Sequence, residues 1–135
     1  MIVRDDVSSP PEVAPPPARV GPATSAWVVF GAAVVLQLVI LYWPRTPSED
    51  GLPIDKLVHV GTFFLVLVSG AWALGISRLP ALAVVLALHA PGSELIQHDL
   101  LPHRDGSWAD AGADLLGVLA GVLVVIALRR VRADE

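Results

Sequence analysis

The sequence predicts an all-α membrane protein, a bundle of four transmembrane helices behind a disordered, proline-rich N-terminal tail. Three observations lead there. Of the 135 residues, 54% are apolar and 16% are charged, where an ordinary soluble domain carries about 25% charged residues. Mean hydropathy is +0.65. The apolar residues gather into four runs, each close to the ~20 residues that a helix needs to cross a bilayer. None of the runs alternates with period two, which favours helices over strands.

Composition also excludes several classes. There is no cysteine, so disulfides, zinc–thiolate sites, iron–sulfur clusters and cysteine nucleophiles are ruled out. The net charge of −4 gives no broad basic surface, and no nucleic-acid partner is expected.

Residues 1–22 hold six of the twelve prolines. Proline lacks an amide donor and has a fixed φ, so Pro10-Pro11-Glu12-Val13-Ala14-Pro15-Pro16-Pro17 cannot be helical, and the whole stretch reads as a disordered, solvated tail. A signal peptide would start with basic residues and pass at once into an apolar run. Here the apolar run begins only near Ala26 and acids, Asp5, Asp6 and Glu12, precede it, so cleavage is not expected.

The membrane domain is expected over 23–130, with spans at about 26–43, 58–76, 81–97 and 111–128 and a short tail over 131–135. Gln37 interrupts the first span and should make an interhelical hydrogen bond. His89, in the third, should be neutral and hydrogen-bonded. Pro91-Gly92 should kink that helix. Gly117 and Gly121 form a GxxxG face on the fourth, suited to close helix packing.

With four spans both termini share a side. That side carries Arg4, Arg19, Arg78, Arg129, Arg130 and Arg132, against Arg45, Lys56 and Arg104 on the other. The positive-inside rule then makes the termini cytoplasmic, and one lysine against eight arginines, amid abundant Ala, Val, Leu and Pro, suggests a bacterial genome and so a bacterial plasma membrane. Tyr42 and Trp43 fall at the outer interface and Trp27 at the inner one. The two longer loops face outward, and any site should lie there.

The outer ends of helices two to four carry nearly all the polar residues. Asp55 and His59 are one turn apart on the second helix, with Lys56 beside them. Glu94 and Gln97 share a face near the end of the third, and Glu94 can reach toward His98. Arg104 lies in the following loop. Ser107 is a candidate N-cap for the fourth helix, with Asp110 completing a capping box, and Asp114 lies one turn deeper. A carboxylate costs about 2.5–3.5 kcal/mol at the centre of a membrane helix and less near an interface. Glu94 and Asp114 should therefore face the bundle, with Lys56, His59 and Arg104 as candidate partners.

These residues, in this order, resemble the VanZ-like family of bacterial integral membrane proteins. Asp55-Lys56 with His59, Glu94 with Gln97, then Arg104, Ser107, Asp110, Asp114 and Gly117 carry the resemblance over about 26–128. The family usually has asparagine where this chain has Asp114. It takes its name from a protein linked to teicoplanin resistance, and no reaction is firmly established for it. The resemblance implies a membrane location and an outer polar site.

Three functional readings stay open at this point. The polar residues could be glue joining helices, each hydrogen bond contributing about 0.6–2 kcal/mol. They could bind the head group of an envelope-associated amphiphile, a lipid or lipoglycopeptide, with Lys56 and Arg104 meeting its negative charge. They could also catalyse a head-group reaction, with His59 as base oriented by Asp55 or Glu94, and Arg104 stabilising developing charge. No cofactor or metal is expected. His59, Glu94, His98, His103, Asp110 and Asp114 are of ligand type, but no HExxH or tight histidine pair occurs, and His98 and His103 read as solvated loop residues.

Overall fold

The computed structural model describes residues 24–43, 53–101 and 106–134. They form four helices, α1 (Thr24–Tyr42), α2 (Pro53–Leu74), α3 (Leu79–Leu100) and α4 (Trp108–Ala133). There is no strand among the described residues. All four helices are long and apolar enough to cross a membrane, and the chain is a multi-pass membrane protein. The proline-rich tail, Arg45, His103 and Arg104 lie outside the described residues.

Three helices run further than their apolar cores suggest. α2 starts at Pro53, five residues before the expected span. Proline suits a helix start because the missing amide would have no intrahelical partner there. Asp55 in the first turn complements the amino-terminal end of the helix dipole. α3 continues through its polar last turn to Leu100 and takes His98 into the helix rather than into a loop. α4 starts at Trp108 and runs to Ala133, so most of the expected C-terminal tail is helical. A hydropathy pattern registers the apolar centre of a helix, while its polar end turns are held by backbone hydrogen bonds that the pattern does not register.

α2 ends at Gly75, whose φ of 86° lies in the left-handed region. Its amide donates to the Ala71 carbonyl at 3.1 Å. A single 3-10 turn, Ile76–Arg78, then leads into α3. Pro91 lies within α3 and cannot donate to the Ala87 carbonyl. Two residues on, the Ser93 hydroxyl donates to the Ala90 carbonyl at 2.8 Å.

α2 is the central helix and packs on the other three. Phe63 and Leu67 on α2 are fully buried, with Ala33 and Leu41 of α1, Leu86 and Ala90 of α3 and Val118 of α4 around them. The most extensive packing is between α2 and α4. A Cβ on Gly117 would run into the Val60 carbonyl oxygen, and one on Gly121 would lie 2.7 Å from a Leu67 methyl. The GxxxG face expected of the fourth span is thus the face that meets α2.

The outside of the bundle is apolar. Val28, Val35, Leu57, Leu88, Leu100 and Leu116 are among many large exposed hydrophobic residues. In water such a surface would aggregate; against acyl chains it is the expected covering. All four tryptophans are exposed. Trp27 and Trp72 lie near the end where α1 begins and α4 finishes, and Trp43 and Trp108 near the opposite end. This is the aromatic belt arrangement of a membrane span.

Candidate functional site

The start of α2, the end of α3 and the start of α4 meet at one end of the bundle. Each contributes ionisable side chains directed inward. Asp55, His59, Glu94, Asp110 and Asp114 are all buried, as is Gln97. They sit on helical turns that a wholly apolar sequence would fill with leucine. Helical spacing aligns them, since Asp55 and His59 on α2 and Asp110 and Asp114 on α4 are each one turn apart.

The deepest contact joins α2 to α4. His59 Nδ1–H donates to Asp114 Oδ1 at 2.9 Å, with the two residues 1% and 0% exposed. On the other side of the ring, Nε2 lies 4.0 Å from Asp55 Oδ2. One turn nearer the surface, Lys56 Nζ donates to Asp110 Oδ1 at 2.7 Å. The Lys56 side chain is 40% exposed and forms the rim of the cluster. An ammonium has three donors and this bond uses one of them.

Glu94 is held differently from the sequence expectation. It meets neither Lys56 nor His98, and Arg104 lies outside the described residues. Its Oε2 accepts the backbone N–H of Ser107 at 2.8 Å, and its Oε1 accepts from Gln97 Nε2 at 3.3 Å. The capping box is also different. Ser107 is the N-cap of α4 by position, but its side chain makes no capping bond. Asp110 is committed to Lys56. The reason is the close approach of Gly106 to α3, where a Cβ would run into the Glu94 carbonyl. That approach brings the Ser107 amide onto the Glu94 carboxylate, so a tertiary contact replaces a local cap.

The structure thus brings together eight of the nine residues singled out above: Asp55, Lys56, His59, Glu94, Gln97, Ser107, Asp110 and Asp114. His98 is exposed, away from the cluster's interior. One feature had no signal in the sequence. Asp114 Oδ2 is fully buried and has no hydrogen-bond partner among the described residues. An unmatched buried acceptor costs about 1–3 kcal/mol, and more when charged. His59 also bonds Asp114, a partner that the sequence reading did not give it, while Asp55 lies 4.0 Å from the other ring nitrogen.

Three other polar residues lie apart from this cluster, on α1 and α3. Tyr42 Oη and His89 Nε2 are 3.2 Å apart, and the His89 ring stacks on Phe63 with centroids 5.6 Å apart. His89 is therefore hydrogen-bonded, as expected. Gln37 is not fully so, because its Nε2 is buried without a partner among the described residues. A separate groove of about 540 Å³ opens at the opposite end of the bundle, between Leu65, Trp72, Val125 and Leu128, with Arg129 and Arg132 at its edge. It does not connect with the polar cluster, which has its own helix ends.

No family model, no curated protein and no solved structure matches this chain. The chemistry of the cluster therefore rests on its own residues. They form an acid-rich set, four carboxylates against one lysine and one histidine among the described residues. It is walled by apolar helices and lies toward one end of the bundle. Such a set can hold a polar head group or a cation, or move a proton.

Proposed function

We propose that this chain is a VanZ-like protein of the bacterial plasma membrane, with both termini cytoplasmic. Its polar cluster, at the outer ends of α2, α3 and α4, binds the head group of an envelope-associated amphiphile, a lipid or a lipoglycopeptide. Through that binding it modulates tolerance to teicoplanin-type glycopeptides. The observation that carries the reading is the gathering of ionisable groups from three helices into one end of the bundle, with the half-exposed Lys56 at its rim. Helix glue would need two or three matched pairs. Here the acids outnumber the bases among the described residues, and the Lys56 ammonium keeps two donors that Asp110 does not use. Arg104, three residues before Ser107 in the sequence, would supply a second cation for a negatively charged head group.

The test is native mass spectrometry of the full chain released from a mild detergent. A bound amphiphile stays with the natural chain and is lost from Lys56→Ala and Arg104→Ala. Equal retention in all three overturns the reading. Expression of the natural chain should also shift teicoplanin susceptibility of a sensitive host, and the same two variants should abolish the shift.

A second reading, a membrane enzyme acting on a lipid head group, has the His59–Asp114 hydrogen bond in its favour. A carboxylate on one imidazole nitrogen is how a general base is oriented. The ring is 1% exposed, so a substrate would reach it only after the ends of α2 and α4 part. Turnover of a lipid phosphate that is lost in His59→Gln would favour this reading over simple binding.

A further inference from the structure

His59, Glu94 and Asp114 come from three different helices and are all buried. One ligand-type atom from each lies within 4.8 Å of the other two. Asp114, whose fully buried Oδ2 has no donor among the described residues, belongs to this trio. A buried acceptor-only oxygen beside a second carboxylate calls for a proton or a positive charge between them. From this geometry we infer that His59, Glu94 and Asp114 form a site for one divalent transition-metal ion, Zn²⁺ being the ion that the donor set suits best.

The donor chemistry selects the class of ion. Mg²⁺ and Ca²⁺ take oxygen ligands, whereas an imidazole favours zinc and its neighbours. No thiolate is available, which removes the soft-metal alternatives. Bonds of about 2.0–2.2 Å put tetrahedral ligand atoms about 3.4 Å apart. The trio reaches that spacing by small side-chain rotations, with the 2.9 Å His59–Asp114 contact opening slightly to admit the ion.

The surroundings also fit. Metal-binding carboxylates and imidazoles are held by outer hydrogen bonds that fix their direction. Glu94 has two, from the Ser107 amide and from Gln97. Asp55 lies beyond the His59 ring, 4.0 Å from Nε2, where it can accept the proton of an imidazole that ligates through Nδ1. Asp55, His59 and Asp110 form a second group within the same spacing, but Lys56 already neutralises Asp110 there. The inner trio is therefore the site. Three protein ligands leave a position for water or for an oxygen of a bound head group. The inference does not depend on the identity of any amphiphile, since the ion would bind with the rim empty.

The experiment uses the full chain in nanodiscs, stripped with EDTA and then dialysed against ZnCl₂ or CoCl₂. The expected result is one equivalent of metal per chain. In the Co²⁺ form, visible absorption should have the intensity of a four- or five-coordinate ion. Zinc should raise the thermal midpoint by roughly 10 °C once it exceeds its Kd about 100-fold. His59→Gln and Asp114→Asn should lose the equivalent, and His98→Gln, which removes an exposed histidine, should keep it. A measurement on the natural chain covers variants that fail to fold: zinc should shift the imidazole ¹⁵N signals of His59. No uptake by the natural chain overturns the inference, as does undiminished uptake by a folded His59→Gln. Uptake by Arg104→Gln but not by the natural chain also overturns it, since the guanidinium would then be the balancing charge.

Discussion

Replacing Gly117 by alanine should weaken the bundle, although the same change elsewhere in the helices should strengthen it. In an open helix position, glycine to alanine gains up to about 1 kcal/mol from reduced chain entropy and better helix propensity. Gly112 on α4 and Gly61 on α2 have nothing within 4 Å of an added Cβ, so both substitutions should show that gain. At Gly117 the new Cβ meets the Val60 carbonyl oxygen and lies 3.0 Å from the Phe63 Cβ. Neither is the flexible tip of a side chain, so α2 and α4 must separate there. Overpacking of this kind costs about 1–3 kcal/mol, and a backbone contact belongs in the upper half of that range. After the propensity gain, the net loss is about 1–2 kcal/mol. The assay is unfolding by SDS in mixed micelles, followed by far-UV circular dichroism and by the fluorescence of the four tryptophans. Gly117→Ala should shift the midpoint to lower SDS, and Gly112→Ala to equal or higher SDS. If the two variants unfold together, the close approach of α2 and α4 is not what holds this bundle.

Further expectations follow from single contacts. A double-mutant cycle with Lys56→Met and Asp110→Asn should give a coupling of about 0.5–1 kcal/mol, the range of a half-exposed ion pair, and a coupling near zero would remove Lys56 from the cluster. Tyr42→Phe should cost about 0.6–1.5 kcal/mol through loss of the bond to His89, read in the same SDS titration, with no change in fold by circular dichroism. Glu94→Leu should cost about 1–3 kcal/mol because the Ser107 amide and Gln97 lose their acceptor. Glu94→Gln should cost less, since its carbonyl oxygen still accepts one of them, and hydrogen exchange at Ser107 separates the two variants.

Much of the fold was legible before any coordinates. Four apolar runs in a chain with 16% charged residues leave little choice but helices that satisfy their own backbone in lipid. The choice of cluster residues was also legible, because a carboxylate or imidazole near a span must face inward. Partners were harder to read. Glu94 is only four residues from His98, yet it takes its donors from Ser107 and Gln97. Ser107 and Asp110 have the spacing of a capping box, yet each bonds across to another helix.

The sequence by itself thus determined the number of spans, their approximate centres, the face by which α4 packs and the end of the bundle that carries charge. Each follows from periodicity and from the cost of polar groups in hydrocarbon, which act locally along the chain. The tertiary structure decided who meets whom. His59 is 55 residues from Asp114, and Lys56 is 54 from Asp110. Those pairs depend on the close approach of α2 and α4 at Gly117 and Gly121. That approach also leaves Asp114 Oδ2 buried with no donor among the described residues, because satisfaction of a buried oxygen is set by what surrounds it in three dimensions and not by its neighbours in the chain.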